Sequence, residues 1–261
     1  MKLIIQEKAK KDVFISLFQL LKNCSSTLRI LFNEHDIYIQ GMDKSHICLF
    51  DVRIVSQWFT SYDKNPGDQT NICIDTVMFH NIISMTQDQH AITIHYSNED
   101  AVDMINIDLL NSQNSGDFNK YFKIPLIDLD MDILNVPDVE YDADFSINAK
   151  KMNEITSQLL IFGDIINVQC SEEKIDLISK GVSGEMHVNI PIDDLSEYSI
   201  SEGDVIDLSY SLNYMHKLCL STKLSSEICF SISSDFPMRI QYNLGESSHA
   251  TFYIAPKIED L

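Results

Sequence analysis

Three aspartates at alternate positions, Asp128, Asp130 and Asp132, have a spacing that could ligate a divalent cation. Calcium loops of the EF-hand type follow such a run with glycine, because the sharp turn there needs it. Here Ile133 follows, and no histidine lies close in sequence. Alternation also sends the three carboxylates to one open face of an extended segment instead of around an ion. Metal-dependent nuclease chemistry is therefore an alternative that the local pattern argues against. The eight histidines have no ligand spacing, and the six cysteines (Cys24, Cys48, Cys73, Cys170, Cys219, Cys229) form no CxxC pair. They are expected as reduced core thiols of an intracellular protein. No GxSxG, P-loop or HExxH motif occurs, so neither an enzyme nor a cofactor is implied.

The lysines have a different chemistry, the neutralisation of phosphates, and their placement is uneven. Hydrophobic periodicity predicts helices at 8–22, 75–86, 148–162 and 210–223. These segments hold Lys8, Lys10, Lys11, Lys22, Lys150, Lys151, Lys217 and Lys223 against only Asp12, Asp75 and Glu154. The whole chain has a net charge of −20, which excludes an ordinary basic nucleic-acid binder. A net-basic helical subset inside an acidic chain fits one face near phosphates and an outer surface that repels them. Amphipathic helices also commonly carry lysine on their wet side, so this feature alone leaves both readings open.

The elements that would position these groups occur twice. The helix at 8–22 places Val13, Phe14, Leu17, Leu20 and Leu21 on one face, with Lys8, Lys10, Lys11 and Lys22 off it. Alternating runs follow at Leu28–Ile30–Phe32, Ile37–Ile39 and Ile47–Leu49–Val52, then a loop with Pro66 and Gly67. A strand at 72–74 leads to the helix at 75–86, with Val77, Met78, Ile82 and Ile83 expected inward, and two more strands follow at 91–96 and 102–109. After residue 137 the order repeats, and 28–54 aligns without a gap on 166–192, pairing Ile30 with Val168, Phe50 with Val188 and Ile54 with Ile192. The expected architecture is α+β: a domain at 1–116, a connecting loop at 117–137 and a similar domain at 138–261. The connecting stretch alternates apolar residues with Asp between Pro125 and Pro137, so it is expected extended, its carboxylates toward water. The N-terminus has no signal-peptide pattern, and no apolar run is long enough for a membrane span.

Three separated motifs give these elements a family. The run DIYIQGMDKSHI at 36–47 resembles the proliferating cell nuclear antigen family of sliding clamps. LIDLDMDIL at 126–134 resembles its connecting loop, and YIAPKIEDL at 253–261 its C-terminal tail. The resemblance spans the chain and implies the DNA-clamp fold: a homotrimeric ring around double-stranded DNA, helices lining the channel and β-sheets outside. It implies a processivity factor without cofactor. DNA polymerase, clamp loader, flap nuclease and ligase would bind through short peptide motifs, in the nucleus or at a cytoplasmic site of DNA replication. Residues matching the family's peptide pocket are Met42, His46, Ile47, Leu49, Leu134, Val136, Pro137, Pro237, Tyr253, Ala255 and Pro256. Lys10, Lys11, Lys22, Lys150, Lys151 and Lys217 are the expected DNA-facing cations. By the same resemblance, residues 105–110 of one subunit would pair with 174–181 of the next. A subunit of a heterotrimeric checkpoint-type clamp is the alternative within the family. The chain departs from the family where channel-facing basic residues fall on Ser16, Asn81, Ser84, Glu154, Ser157, Asn213 and Leu220, and where its ubiquitinated lysine falls on Glu172.

Overall fold

A computed structural model describes residues 1–64, 70–96, 103–111, 118–129 and 133–257. The first half runs β1 (Lys2–Ile5), α1 (Lys8–Cys24), β2 (Thr27–Phe32), β3 (Asp36–Met42), β4 (Cys48–Val55), β5 (Ser61–Asp63), β6 (Thr70–Asp75), α2 (Thr76–Ile83), β7 (His90–His95), β8 (Met104–Asn111) and β9 (Lys120–Pro125). The second runs β10 (Ala143–Asn148), α3 (Ala149–Leu159), β11 (Ile165–Cys170), β12 (Lys174–Gly181), β13 (Gly184–Pro191), β14 (Glu197–Ile200), β15 (Ile206–Ser211), α4 (Leu212–Cys219), β16 (Glu227–Ile232), β17 (Met238–Gly245) and β18 (Ser248–Ile254). Each half thus has the same order of strands and two helices.

The chain divides into two compact units. The first holds Met1–Lys44, Phe50–Leu134 and Leu244–Ala250, and the second holds Ser45–Leu49, Asn135–Asn243 and Thr251–Leu261. In the first, strands lie in the orders β5-β1-β7-β8-β9 and β4-β3-β2-β6. In the second the corresponding orders are β14-β10-β16-β17-β18 and β13-β12-β11-β15. Alternation explains the strand faces: Leu28, Ile30 and Phe32 of β2 are buried, as are Ile166, Val168 and Cys170 of β11.

The core of the first unit is aromatic where its helices meet. The Phe18 ring of α1 lies tilted 4.9 Å from that of Phe14 and 4.5 Å from that of Phe79 of α2, and Trp58 donates its indole N–H to the Leu244 carbonyl at 2.8 Å. This corrects the helix faces read from the sequence. On α1, Phe18 is buried and Val13 only half so. On α2 the inward residues include Thr76, Phe79 and His80, while Val77 and Met78 are exposed. The reason is the start of the helix: the Asp75 carboxylate accepts from the Met78 N–H at 2.7 Å, fixing the first turn at Thr76. Counting from there, Thr76, Phe79 and Ile83 share a face.

The repeat also needs a gap that the sequence alignment omitted. Thr27 corresponds to Ile165 and Phe32 to Cys170, an offset of 138, but Thr76 corresponds to Leu212 and Ile83 to Cys219, an offset of 136. The difference arises in one hairpin: five residues join β3 to β4, whereas β12 and β13 close through Val182 and Ser183 alone, with Gly181 paired to Gly184. Gly184 has φ 133, which a side chain would resist. Ile54 therefore corresponds to buried Ile190, and Phe50 to Met186.

The strands expected at subunit edges are not edges of their sheets. Residues 105–110 lie in β8, which pairs with both β7 and β9, and 174–181 form β12, which pairs with both β11 and β13. Their ladder bonds are already used on both sides. Among the described residues, the strands at those ends of the two sheets are β9 and β13.

Candidate functional site

The connecting loop is held against the first unit by specific bonds. Leu126 N donates to Asp103 O at 2.9 Å, and Ile127 N to Cys73 O of β6 at 2.9 Å; the Cys73 thiol meets Leu129 O at 3.3 Å. Further along, the Gln40 side chain of β3 bonds Leu134 twice, accepting from its N–H at 2.7 Å and donating to its carbonyl at 2.8 Å. Asp128 is exposed, as expected, but so are Leu129, Ile133 and Leu134. The alternation therefore does not bury the apolar set: the loop is tied down by its backbone and offers aliphatic side chains to solvent. Asp130 and Asp132 lie outside the described residues. Among the described residues no group of three His, Cys, Asp or Glu side chains could hold a metal ion.

The other pocket candidates divide between the units. Met42 ends β3 in the first unit and is half-buried, with Leu134 on the same unit. In the second unit, Ile47 O accepts from Ala255 N at 3.2 Å, so the 45–49 segment and the tail run side by side there. Ile47, Leu49, Tyr253 and Pro256 are half-buried, and His46 and Ala255 exposed. His46 takes φ 56, a left-handed conformation that turns the chain into β4. Pro237 is exposed, and its carbonyl accepts from the Tyr141 hydroxyl at 3.3 Å; the Arg239 guanidinium lies 4.7 Å over the Tyr141 ring. Val136 is half-buried and Pro137 exposed.

The lysines are not equivalent. Lys150 and Lys151 are exposed in the first turn of α3, whose N-cap Asn148 accepts from both of their backbone N–H groups at 3.1 and 3.2 Å. Lys217 is exposed on α4, its ammonium 5.4 Å from the Tyr214 ring. Lys22 is half-buried and donates to His80 Nδ1 at 3.1 Å. Lys10 lies along Trp58, 5.8 Å from the ring centre, and pairs with Glu7 at 3.6 Å. Lys11 corrects the sequence reading. It is 3% exposed and donates to the carbonyls of Gln87, Asp88 and His90 at 3.2, 2.7 and 2.5 Å. Those carbonyls follow α2, so Lys11 seals a loop end inside the unit and is not a phosphate contact. Periodicity missed this because a buried, fully bonded lysine looks like a polar surface residue in sequence.

One arrangement invites a catalytic reading and does not support it. Ser84 Oγ sits 3.1 Å from His80 Nε2. Because Lys22 donates to Nδ1, the ring proton belongs on Nε2, and the Ser84 hydroxyl gives its own proton to His80 O at 2.7 Å. A histidine polarised this way cannot take a proton from serine. Burial, and then the Lys22 charge, hold its pKa below the usual value. His216 occupies the matching place on α4, its Nδ1 3.0 Å from the Thr156 hydroxyl, and burial lowers its pKa too.

Two family models match the chain. Residues 6–133 match the N-terminal domain of proliferating cell nuclear antigen, and residues 135–257 match its C-terminal domain. The chain belongs to the proliferating cell nuclear antigen family. It is 26% identical to the proliferating cell nuclear antigen of Chaetomium thermophilum, over 98% of this chain and 96% of that protein. It is 27% identical to proliferating cell nuclear antigen 2 of Plasmodium falciparum, over 95% and 96%. A crystal structure of PCNA from Thermococcus kodakaraensis has the same fold, with a TM-score of 0.86, 18% identity and coverage of 98% of this chain and 99% of that one.

Family and fold are those of a DNA sliding clamp, and against that background the helices are sparing with charge. The solvent-facing residues of α2 and the turn after it are Val77, Met78, Asn81, Ser84 and Met85, without a single cation. On α3 and α4, Glu154, Ser157, Asn213 and Leu220 are all exposed beside Lys150, Lys151 and Lys217. In this clamp the positive charge on the helices is concentrated at a few positions.

Proposed function

We propose that three copies of this chain close into a ring around duplex DNA and act there as a processivity factor and docking platform. The observation that carries the reading is the repeated clamp unit, element for element, matched by both family domains along nearly the whole chain. Enclosure removes the need for grip: sequence-independent lysine contacts suffice for a ring that cannot leave sideways, and they let it slide. Lys150, Lys151, Lys217 and Lys22 are the cations assigned to that task, with Lys10 in a lesser part; Lys11 is not. An acidic exterior then keeps the remaining surface off DNA. The role calls for no catalytic step.

Ring closure needs a strand edge on each of the two surfaces that meet, and β9 and β13 supply candidates. β9 carries Lys120, exposed Tyr121, half-buried Phe122 and Lys123, while β13 carries Glu185 beside Met186 and Val188. Antiparallel addition of β9 to β13 of the next copy would continue both ladders head to tail, an arrangement that closes when three rotations complete a circle.

Replication and repair proteins are held by a short apolar or aromatic peptide. In the first unit Met42 and Leu134 receive it; in the second the receiving residues are His46, Ile47, Leu49, Val136, Pro137, Pro237, Tyr253, Ala255 and Pro256. Each aliphatic side chain buried on docking contributes about 1.5–3 kcal/mol before ordering costs. Asp128 on the connecting loop attracts basic flanks of such peptides. The work is done wherever the cell copies DNA, in the nucleus for a chain of the eukaryotic type.

Light scattering at micromolar concentration tests the assembly: a particle of three times the 29.9 kDa chain mass is expected. A stable monomer would instead place the chain in a ring with different subunits.

A further inference from the structure

We propose that Gln40 is the positioning residue of the docking surface, locking the connecting loop at Leu134 so that its apolar side chains face outward. The inference rests on the peptide-docking reading above. In the first unit Gln40, Arg29 and Cys73 lie in one row across β3, β2 and β6. In the second, Ile178, Asn167 and Ser209 form the same row across β12, β11 and β15.

Both units tie their outgoing chain to the end of that row. Ile127 N of the connecting loop bonds Cys73 O at 2.9 Å, and Lys257 N of the tail bonds Ser209 O at 2.7 Å, the same carbonyl in each repeat. What differs is the other end of the row. The first unit has glutamine where the second has isoleucine, and the glutamine is buried, at 8% exposure. A buried amide costs free energy unless its donors and acceptor are used. Here they are used by the connecting loop: Leu134 N–H into Oε1 at 2.7 Å and Nε2 into Leu134 O at 2.8 Å. The side chain imitates the edge of a strand, offering one acceptor and one donor to one residue's backbone.

The amide cannot turn over without loss. Asp51 of β4 presents its Oδ2 3.4 Å from Nε2, and the same oxygen accepts from the Tyr38 hydroxyl. A carboxylate facing Nε2 favours the donor side there and leaves Oε1 for Leu134 N–H. Tyr38, Asp51 and Gln40 therefore form a short polar chain on the outward face of β3 and β4 that ends on the connecting loop. Holding a loop in its bound conformation beforehand removes ordering cost from peptide binding, which is how a residue that need not touch the peptide can set its affinity.

The test uses the full chain with Gln40→Leu, which keeps the bulk and copies the apolar character of Ile178. Hydrogen exchange at the Leu134 amide is measured together with affinity for a short synthetic peptide bearing two adjacent aromatic residues and lysine flanks. The expected result is exchange at Leu134 about tenfold or more faster, oligomeric mass unchanged, and peptide affinity lower by about threefold to tenfold. Gln40→Glu, which keeps an acceptor for Leu134 N–H but sets a second carboxylate against Asp51 and the Leu134 carbonyl, should loosen Leu134 at least as much, and carries the same test should the leucine variant fold poorly. Unchanged exchange at Leu134 would overturn the proposal, as would faster exchange with undiminished affinity. Failure of the parent chain to bind any such peptide, with Leu134 still protected through Gln40, would instead remove the docking reading.

Discussion

Lys11 and Lys150 have the same side chain and opposite surroundings, and the difference decides what each does. Lys11 gives its ammonium to three carbonyls inside the first unit, and burial pushes its pKa down. Lys11→Ala would strand those acceptors; unfolding free energy should fall by about 2 kcal/mol, read by denaturant titration, while the surviving fold keeps its DNA affinity. Lys150→Glu with Lys151→Glu should leave stability near that of the parent and reduce the slope of log affinity against log salt by roughly one unit for each phosphate no longer neutralised. An unchanged slope would show that these lysines meet no phosphates. The paired histidines make a separate prediction. Burial depresses both His80 and His216 below their ordinary 6.5, so the fold favours the neutral ring. Their contribution is present above pH 6.5 and is lost as pH falls below it, because the unfolded chain then binds more protons. Thermal stability should drop from pH 7.5 to 5.5, and His80→Gln with His216→Gln should flatten that drop.

At the scale of elements, much was legible because periodicity and motif agree. The four helices, the repeat and the strands β2, β3, β4, β6, β7, β8, β11, β12, β13, β15 and β16 follow from alternation and the family motifs; β1, β5, β9, β10, β14, β17 and β18 do not, and β9 falls inside the stretch expected as connecting loop. What was not legible depended on where an element begins or whom it pairs with. The inward face of α2 follows from the Asp75 cap, which shifts the phase away from Val77 and Met78. The two-residue turn at Val182 and Ser183 breaks an alignment that apolar phase alone allows, since a shift of two keeps every strand face. Strand order is long-range, so the sequence could not tell that β8 and β12 are interior and β9 and β13 terminal in their sheets. Gln40 was invisible for the same reason: only the fold puts it under Leu134. The edges carry a prediction at this scale. Tyr121→Glu with Phe122→Glu on β9 should convert the assembly to monomer by light scattering while each chain keeps its circular dichroism; an intact trimer would remove β9 from the subunit interface.

At the scale of the molecule, a clamp with few helix cations must depend on topology more than affinity. Weak phosphate contacts predict fast sliding and easy loss from a free end, and docked partners gain processivity from the enclosure. The most direct measurement threads the purified protein onto linear duplex DNA, blocks both ends with bulky protein caps, and follows retention in high salt. The account predicts that the protein stays on the capped duplex at salt that abolishes simple electrostatic binding, and leaves when a restriction enzyme cuts between the caps. Loss from capped DNA as the salt rises, or retention that survives the cut, would contradict it.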